Sequence, residues 1–158
     1  MNFLRTGLVA AGVGIVLVSG VFGVSAQASK EAVIKERQEF MKAQGGDAKA
    51  VSDYAKGQGD QAAAQKAAED LIARAPKIMA LFPAGTSTTE FPDKTKAKPE
   101  LFTETDKVKA MITAMQADQT KLLEAVKAGN AAGAGEQLGA MNKDGCGACH
   151  GAYRTKSS

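Results

Sequence analysis

The sequence is poor in aromatic and metal-binding residue types. It contains no tryptophan, one histidine and two cysteines, and aromatic residues make up 5% of its 158 positions. Alanine and lysine dominate the remainder, a composition that favours helix over sheet. About 130 residues follow the apolar N-terminal stretch, which is enough for one domain with one core. A single all-α domain is therefore expected.

Both cysteines and the only histidine lie in one five-residue run, Cys146-Gly147-Ala148-Cys149-His150. This is the pattern of c-type haem attachment, in which two thiols add to the haem vinyl groups and the adjacent histidine binds the iron. The segment lacks proline, and on a helix Cys146, Cys149, His150 and Tyr153 would share one face. The sequence therefore predicts one haem c, held covalently by Cys146 and Cys149, with His150 as an iron ligand.

Other uses of these residues fit less well. A redox disulfide of the C-x-x-C type is expected in a βαβ setting, and the surrounding sequence shows no β pattern. A structural zinc site needs four nitrogen or sulfur ligands, and this chain offers three from one short segment. Because the single histidine is used as a ligand, no general acid or base remains beside the iron, so an enzyme is not expected.

The N-terminus has the pattern of an export signal. Arg5 supplies a positive charge, the run 8–24 is almost uninterrupted apolar sequence, and Ala26-Gln27-Ala28 is a small-x-small cleavage pattern. A signal peptide over 1–28 is predicted, leaving a mature domain over 29–158; cleavage after Ala26 and an uncleaved membrane anchor are the alternatives. Export from a bacterial cytoplasm predicts a periplasmic protein that has no stable membrane association after cleavage.

The charge balance gives no indication of nucleic-acid binding. The full chain carries 20 basic and 17 acidic residues, a net charge of +3. Loss of Arg5 with the leader lowers the charge to +2, and two haem propionates would bring it close to zero. Such a balance lacks the basic surface that nucleic acid requires.

Periodicity and punctuation predict an antiparallel four-helix bundle. Gly45-Gly46 marks an end or a weak point of the first helix, and Pro76 implies a kink or an early stop in the second. The segment 82–99 holds three of the four prolines and is expected to be a long crossover loop. The four predicted helices cover 29–56, 60–81, 104–127 and the stretch from about 131 into the haem segment.

One face of the first predicted helix carries an unusual mixture of side chains. Ile34, Arg37, Gln38 and Met41 are spaced at i, i+3, i+4 and i+7. If this face crosses a haem edge, Arg37 and Gln38 bind the propionates and Met41 reaches over the iron. The alternative is a surface arginine and glutamine beside a core methionine.

Three segments together resemble the class II cytochromes c, the cytochrome c′ family. They are the C-terminal Cys149-His150-Gly151-Ala152-Tyr153-Arg154, the first-helix Arg37-Gln38-x-x-Met41, and Leu81-Phe82-Pro83-Ala84-Gly85-Thr86 between the second and third helices. The resemblance spans the mature chain. It implies a haem-bearing four-helix bundle in which Phe82, Thr86 and Arg154 also contribute to the cofactor site.

The resemblance implies two alternatives for the sixth iron position. In low-spin members a first-helix methionine binds the iron, whereas typical members leave the iron five-coordinate and bind nitric oxide or carbon monoxide. The long loop, rich in Ser, Thr and Lys, resembles that of the low-spin branch. The favoured prediction is therefore a single-electron carrier with His150 and Met41 as ligands and redox proteins as partners. The alternative is a gas-binding protein in which Met41 only blocks the haem, and a homodimer or a monomer fits either function.

Overall fold

The computed structural model describes residues 21–156, the side chains of 21–26 excepted. Within this range the chain forms helices joined by turns and one long loop, which confirms the predicted all-α class. Four long segments pack as an antiparallel bundle in which α1 and α4 each lie against α2 and α5. The helices are α1 (Val21–Ala55), α2 (Gln61–Arg74), α3 (Glu100–Thr103), α4 (Thr105–Lys127), α5 (Ala131–Met141) and α6 (Gly147–Tyr153).

The first helix is longer and more regular than predicted. It passes Ser29 without a break and continues through Gly45-Gly46. A Cβ atom at either glycine would meet nothing within 4 Å, so both lie at open positions where glycine costs helix propensity but causes no break. The predicted cleavage site lies within α1, whereas residues 1–20 of the predicted leader lie outside the described part of the chain.

The second helix ends early, as Pro76 predicts. Asp60 caps its start by accepting a hydrogen bond of 2.8 Å from the Ala63 amide. The helix stops at Arg74, and the chain continues through two 3₁₀ turns, Ala75–Lys77 and Met79–Leu81. Proline lacks the amide that an α-helix would need there, so the tighter turns take over.

The turn between α4 and α5 follows the predicted punctuation. Gly129 has a φ of +71°, a conformation that glycine adopts without strain, and it ends the third long helix. Asn130 then caps α5 by accepting a 2.9 Å hydrogen bond from the Gly133 amide. These two residues bring α5 back antiparallel to α4, which returns the chain towards the haem-binding run.

The C-terminal tail after Tyr153 is extended. Arg154 forms an isolated antiparallel bridge with Ala97 of the crossover loop. The Lys98 amide donates to the Tyr153 carbonyl and the Thr155 amide donates to the Lys96 carbonyl, both at 2.9 Å. Because the loop satisfies these backbone groups, the helix ends at Tyr153 and the haem-binding run is held against the loop.

The apolar interior has two parts. The main core contains fully buried side chains of α1, α2, α4 and α5, and a second cluster is built on Leu101, Val108 and Tyr153. Phe82 and Ile112 pack against both parts. All five methionines after Met1 belong to one part or the other: Met41, Met79, Met111, Met115 and Met141. Across residues 21–156, no helix is long and apolar enough to cross a membrane.

Candidate haem-binding site

A single π-helical turn, Asn142–Cys146, joins α5 to α6 and carries the first cysteine. Glycines flank this cysteine on both sides. A Cβ atom on Gly145 would lie 2.6 Å from the Met115 Cβ, and one on Gly147 would collide with the Asn142 carbonyl oxygen. Both positions therefore require glycine, the first for close approach to α4 and the second for the wide turn itself. Such turns are frequent at functional sites.

The two thiols are free, half-buried and point into different parts of the interior. Cys146 packs against the main core, with its Sγ 3.6 Å from the Met115 Sδ, and Cys149 packs against the second cluster. Burial raises the pKa of both thiols. They stay protonated at neutral pH, unlike the thiolates that bind metals. In the described part of the chain, no group of three or more His, Cys, Asp or Glu residues is placed to hold a metal ion.

His150 lies in α6 and is exposed to solvent, so it does not share one face with the two half-buried cysteines as the spacing predicted. Its ring rests partly against the protein, and this desolvation, together with the positive charge of Arg154, lowers the pKa of His150. A lowered pKa keeps the imidazole neutral at physiological pH, the form that binds iron. The donor set of two inward thiols and one outward neutral imidazole fits a covalently attached haem.

Tyr153 ties the end of α6 to the start of α4. Its hydroxyl donates a 2.7 Å hydrogen bond to the Glu104 Oε2, which also lies 3.1 Å from the Lys107 ammonium. The tyrosine and lysine contacts lower the pKa of Glu104, and the same bond raises the pKa of Tyr153 to about 12. The contact fixes the C-terminal side of the haem-binding run.

Tyr153→Phe should lower the free energy of unfolding only between two pH limits. The depressed Glu104 pKa contributes stability above the ordinary value of 4.5, and that contribution is lost as pH falls through the folded pKa. The raised Tyr153 pKa contributes stability below 10, and that contribution is lost as pH rises through about 12. Urea unfolding at a series of pH values measures the difference. A difference that stays constant across both limits would contradict the role of this hydrogen bond.

Arg37 is buried, with 4% of its surface exposed, and it binds the crossover loop. Its Nη1 donates to the Leu81 carbonyl at 3.3 Å and to the Thr86 hydroxyl at 3.1 Å. Its Nη2 donates to the Thr86 carbonyl at 3.0 Å and to the Thr95 hydroxyl at 2.7 Å. The guanidinium also lies 4.7 Å over the Phe82 ring. Phe82 and Thr86, both predicted site residues, therefore contact Arg37 directly.

The buried charge of Arg37 has no acidic partner among the described residues. Every oxygen that accepts its hydrogen bonds is a neutral carbonyl or hydroxyl, and desolvation lowers the pKa of Arg37. Buried charges in proteins are normally paired, because desolvating a lone charge is costly. A haem propionate would supply the missing negative charge, so this feature of the chain also fits a haem.

Gln38 lies on the surface beside Arg37 and contacts the same loop. Its Nε2 donates a 2.7 Å hydrogen bond to the Lys94 carbonyl. It lines an open groove of about 480 Å³ between α1 and the loop, in which Glu31 and Asp93 face Lys35 and Lys94. The structure thus brings Arg37 and Gln38 together at the loop, and their binding of propionates remains a prediction. Arg154 is exposed next to the loop.

Met41 lies where the first-helix pattern predicts, half-buried against the main core. Cys146 packs against this same core, and α1 lies against α5, which leads into the cysteine run. The Gln44 Nε2 donates to the Met41 Sδ at 3.7 Å. The Met41 sulfur therefore already has a polar partner on its own helix, which the sequence analysis did not foresee.

Gln119 is a second unforeseen feature, buried in the centre of α4 with 1% of its surface exposed. It interrupts an otherwise apolar stripe between Met115 and Leu122. Neither its Nε2 nor its Oε1 has a hydrogen-bond partner among the described residues. The signal was present in the sequence as a polar residue at a core position of the helical repeat.

Gln119→Leu should raise the free energy of unfolding by about 1 kcal/mol, because it replaces an unpaired buried amide with an apolar group of similar shape. Chemical denaturation of the haem-loaded protein measures the change. Gln116→Leu, on the half-buried side of the same helix, is the control and should change little. A clear loss of stability in Gln119→Leu would show that the amide is well paired in solution.

The fold and the site together define a class, the c-type haem proteins built on a four-helix bundle. The family profile described as "Cytochrome C'" matches residues 32–154. The chain therefore belongs to the cytochrome c′ family. As its only two cysteines form the attachment run, covalent haem c is bound through Cys146 and Cys149.

Individual members of the family are similar over nearly their whole length. The cytochrome c′ of Pararhodospirillum photometricum is 36% identical over 129 residues, which cover 80% of this chain and 99% of that protein. The structure of cytochrome c′ from Rhodobacter spheriodes matches with a TM-score of 0.73 at 25% identity, covering 81% of this chain and 98% of that one. A ferrous variant of the Alcaligenes xylosoxidans protein with bound nitric oxide matches with a TM-score of 0.68 at 26% identity, covering 81% and 97%.

Proposed function

We propose that this protein binds a diatomic gas, with nitric oxide as the leading candidate, at the haem face turned towards α1. The single observation that carries the proposal is the state of Met41. Its side chain packs half-buried against the main core and its sulfur accepts a hydrogen bond from Gln44, an arrangement suited to blocking a haem face. The nitric oxide complex of the Alcaligenes xylosoxidans relative supports the same function.

Different residues of the chain hold the haem, bind its iron, balance its charge and cover its inner face. Cys146 and Cys149 hold the cofactor from the π turn and α6, and His150 is the iron ligand on the solvent side. When bound, the haem would supply an iron that can take a small ligand. Arg37 balances the propionate charge and fixes the loop. Met41 excludes water from the inner face and leaves room there only when it moves aside.

The electron-carrier prediction with His150 and Met41 as iron ligands fits this arrangement less well. The Met41 sulfur accepts a hydrogen bond from Gln44 at 3.7 Å with one of its two lone pairs, and it would have to turn the other lone pair to the iron. The family match and the nitric oxide complex of a relative also favour the gas-binding alternative. Two threonines of the loop whose composition suggested the low-spin branch, Thr86 and Thr95, bind Arg37.

The proposal also covers the location of the protein, its lack of enzymatic activity and its partners. The pattern over residues 1–28 supports export and a periplasmic location, and the site offers no acid or base for enzymatic turnover. Redox proteins are retained as transient partners, because haem iron changes oxidation state on exchange with them. A homodimer or a monomer is compatible with this function.

Met41→Ala tests the blocking role. Displacing a half-buried methionine costs on the order of 1.4 kcal/mol, so its removal should speed nitric oxide association about tenfold. Stopped-flow mixing of the reduced protein with nitric oxide measures the rate. The iron should be high-spin before and after the change. Met111→Ala, a half-buried methionine of the second cluster, is the control and should leave the rate unchanged. A wild-type protein that is low-spin and becomes high-spin only in Met41→Ala would contradict the proposal.

A further inference from the structure

Gln44 presents an amide donor to the position that Met41 occupies. It lies one helical turn after Met41 on α1 and is half-buried. Its Nε2 donates to the Met41 Sδ at 3.7 Å. A thioether sulfur is a weak acceptor, and a donor in low-dielectric surroundings gains more from a stronger one. A stronger acceptor could therefore replace the Met41 sulfur as the hydrogen-bond partner of the Gln44 amide.

Few other donors are available on this side of the interior. Arg37 lies one turn before Met41, and four of its N–H groups already bind loop oxygens. Gln119 on α4 carries a buried amide that makes no hydrogen bond to Met41 or to any other described residue. Half-buried apolar side chains that pack against the same core include Phe40, Phe82, Ile112 and Leu138. Gln44 is the donor that touches the Met41 sulfur.

We propose that the Gln44 amide is the hydrogen-bond donor to a diatomic ligand bound on the α1-facing side of the haem, a role that rests on the gas-binding function proposed above. The ligand and the Met41 sulfur compete for the same place. When the ligand displaces the sulfur, the Gln44 N–H loses its weak acceptor and turns to the ligand's outer atom. Polarity and donors next to a haem decide which ligands it retains, so Gln44 favours nitric oxide over the weaker acceptor carbon monoxide.

The test compares Gln44→Leu with Gln44→Met and with the control Gln65→Leu in the haem-loaded protein. Loss of a donor to bound carbon monoxide weakens back-donation from the iron, so the C–O stretching frequency in the infrared should rise in Gln44→Leu. Nitric oxide should dissociate about two- to tenfold faster, as expected for one lost hydrogen bond. Gln44→Met, which keeps the side-chain length without the donor, should give the same changes. Gln65→Leu, whose amide pairs with Glu69 on α2, should change neither readout.

The outcomes separate this inference from the function on which it rests. If carbon monoxide binds but its frequency is the same in wild type, Gln44→Leu and Gln44→Met, Gln44 is not the donor, although gas binding stands. A shift found only in Gln119→Leu would assign the donor to α4 and likewise overturn the role of Gln44. If the wild-type protein forms no carbon monoxide complex, gas binding itself fails and the inference fails with it.

Discussion

The double variant Cys146→Ala/Cys149→Ala is expected to lose covalent haem completely. These are the only thiols in the chain, and the two thioether bonds have no other possible origin. Each single variant keeps one half-buried thiol and should retain a weakened, single-bond attachment. Denaturing electrophoresis of periplasmic material followed by haem staining measures the effect.

His150→Ala serves as the matched variant of the same run. It leaves both thiols in place and should therefore keep a stained band, while the absorption spectrum changes because the solvent-side iron ligand is gone. A stained band in the double cysteine variant would contradict covalent attachment through this run. An unchanged spectrum in His150→Ala would contradict the ligand role of the histidine.

Arg37→Met is expected to destabilise the folded protein by about 3 kcal/mol. The substitution removes a buried guanidinium and leaves the Leu81 and Thr86 carbonyls without their donors. The thioether-bound haem should stay attached, but its midpoint potential should shift because the positive charge beside the propionates is lost. Urea unfolding and a redox titration measure the two effects.

Lys35→Met is the control, since Lys35 lies on the same helix, is exposed, and has only a 3.9 Å ion pair with Glu39. It should alter stability by a few tenths of a kcal/mol at most. Limited proteolysis should also cut the crossover loop faster in Arg37→Met than in the control. The surface position that the spacing left open for Arg37 is wrong, because 4% of the residue is exposed. Equal stability of the two variants would contradict the role of its hydrogen bonds in holding the loop.

Local chemistry explains which features could be predicted from the sequence. The Asp60 cap, the early stop at Pro76 and the turn at Gly129 depend on residues within a few positions of one another. The haem run is equally local, because two thiols and an imidazole must meet one cofactor within five residues. The fold class could be predicted because the sequence shows four helical segments, with one long loop between the second and the third.

The remaining features depend on contacts between distant parts of the chain. Arg37 binds loop residues that are 44 to 58 positions away, and no local pattern indicates that separation. The extended tail results from pairing of Arg154 with Ala97. The π turn depends on the space that Gly145 leaves for Met115 of another helix. In each case a tertiary contact overrode the local preference.

The absorption spectrum of the purified haem-loaded protein, recorded oxidised, reduced, and reduced under carbon monoxide, tests the gas-binding function most directly. If Met41 covers the inner face without binding the iron, as proposed, both oxidation states should be high-spin, and carbon monoxide should shift the reduced spectrum rapidly. Low-spin spectra in both states, a weak far-red thioether-to-iron band in the oxidised protein and no response to carbon monoxide would contradict this account and establish Met41 as an iron ligand.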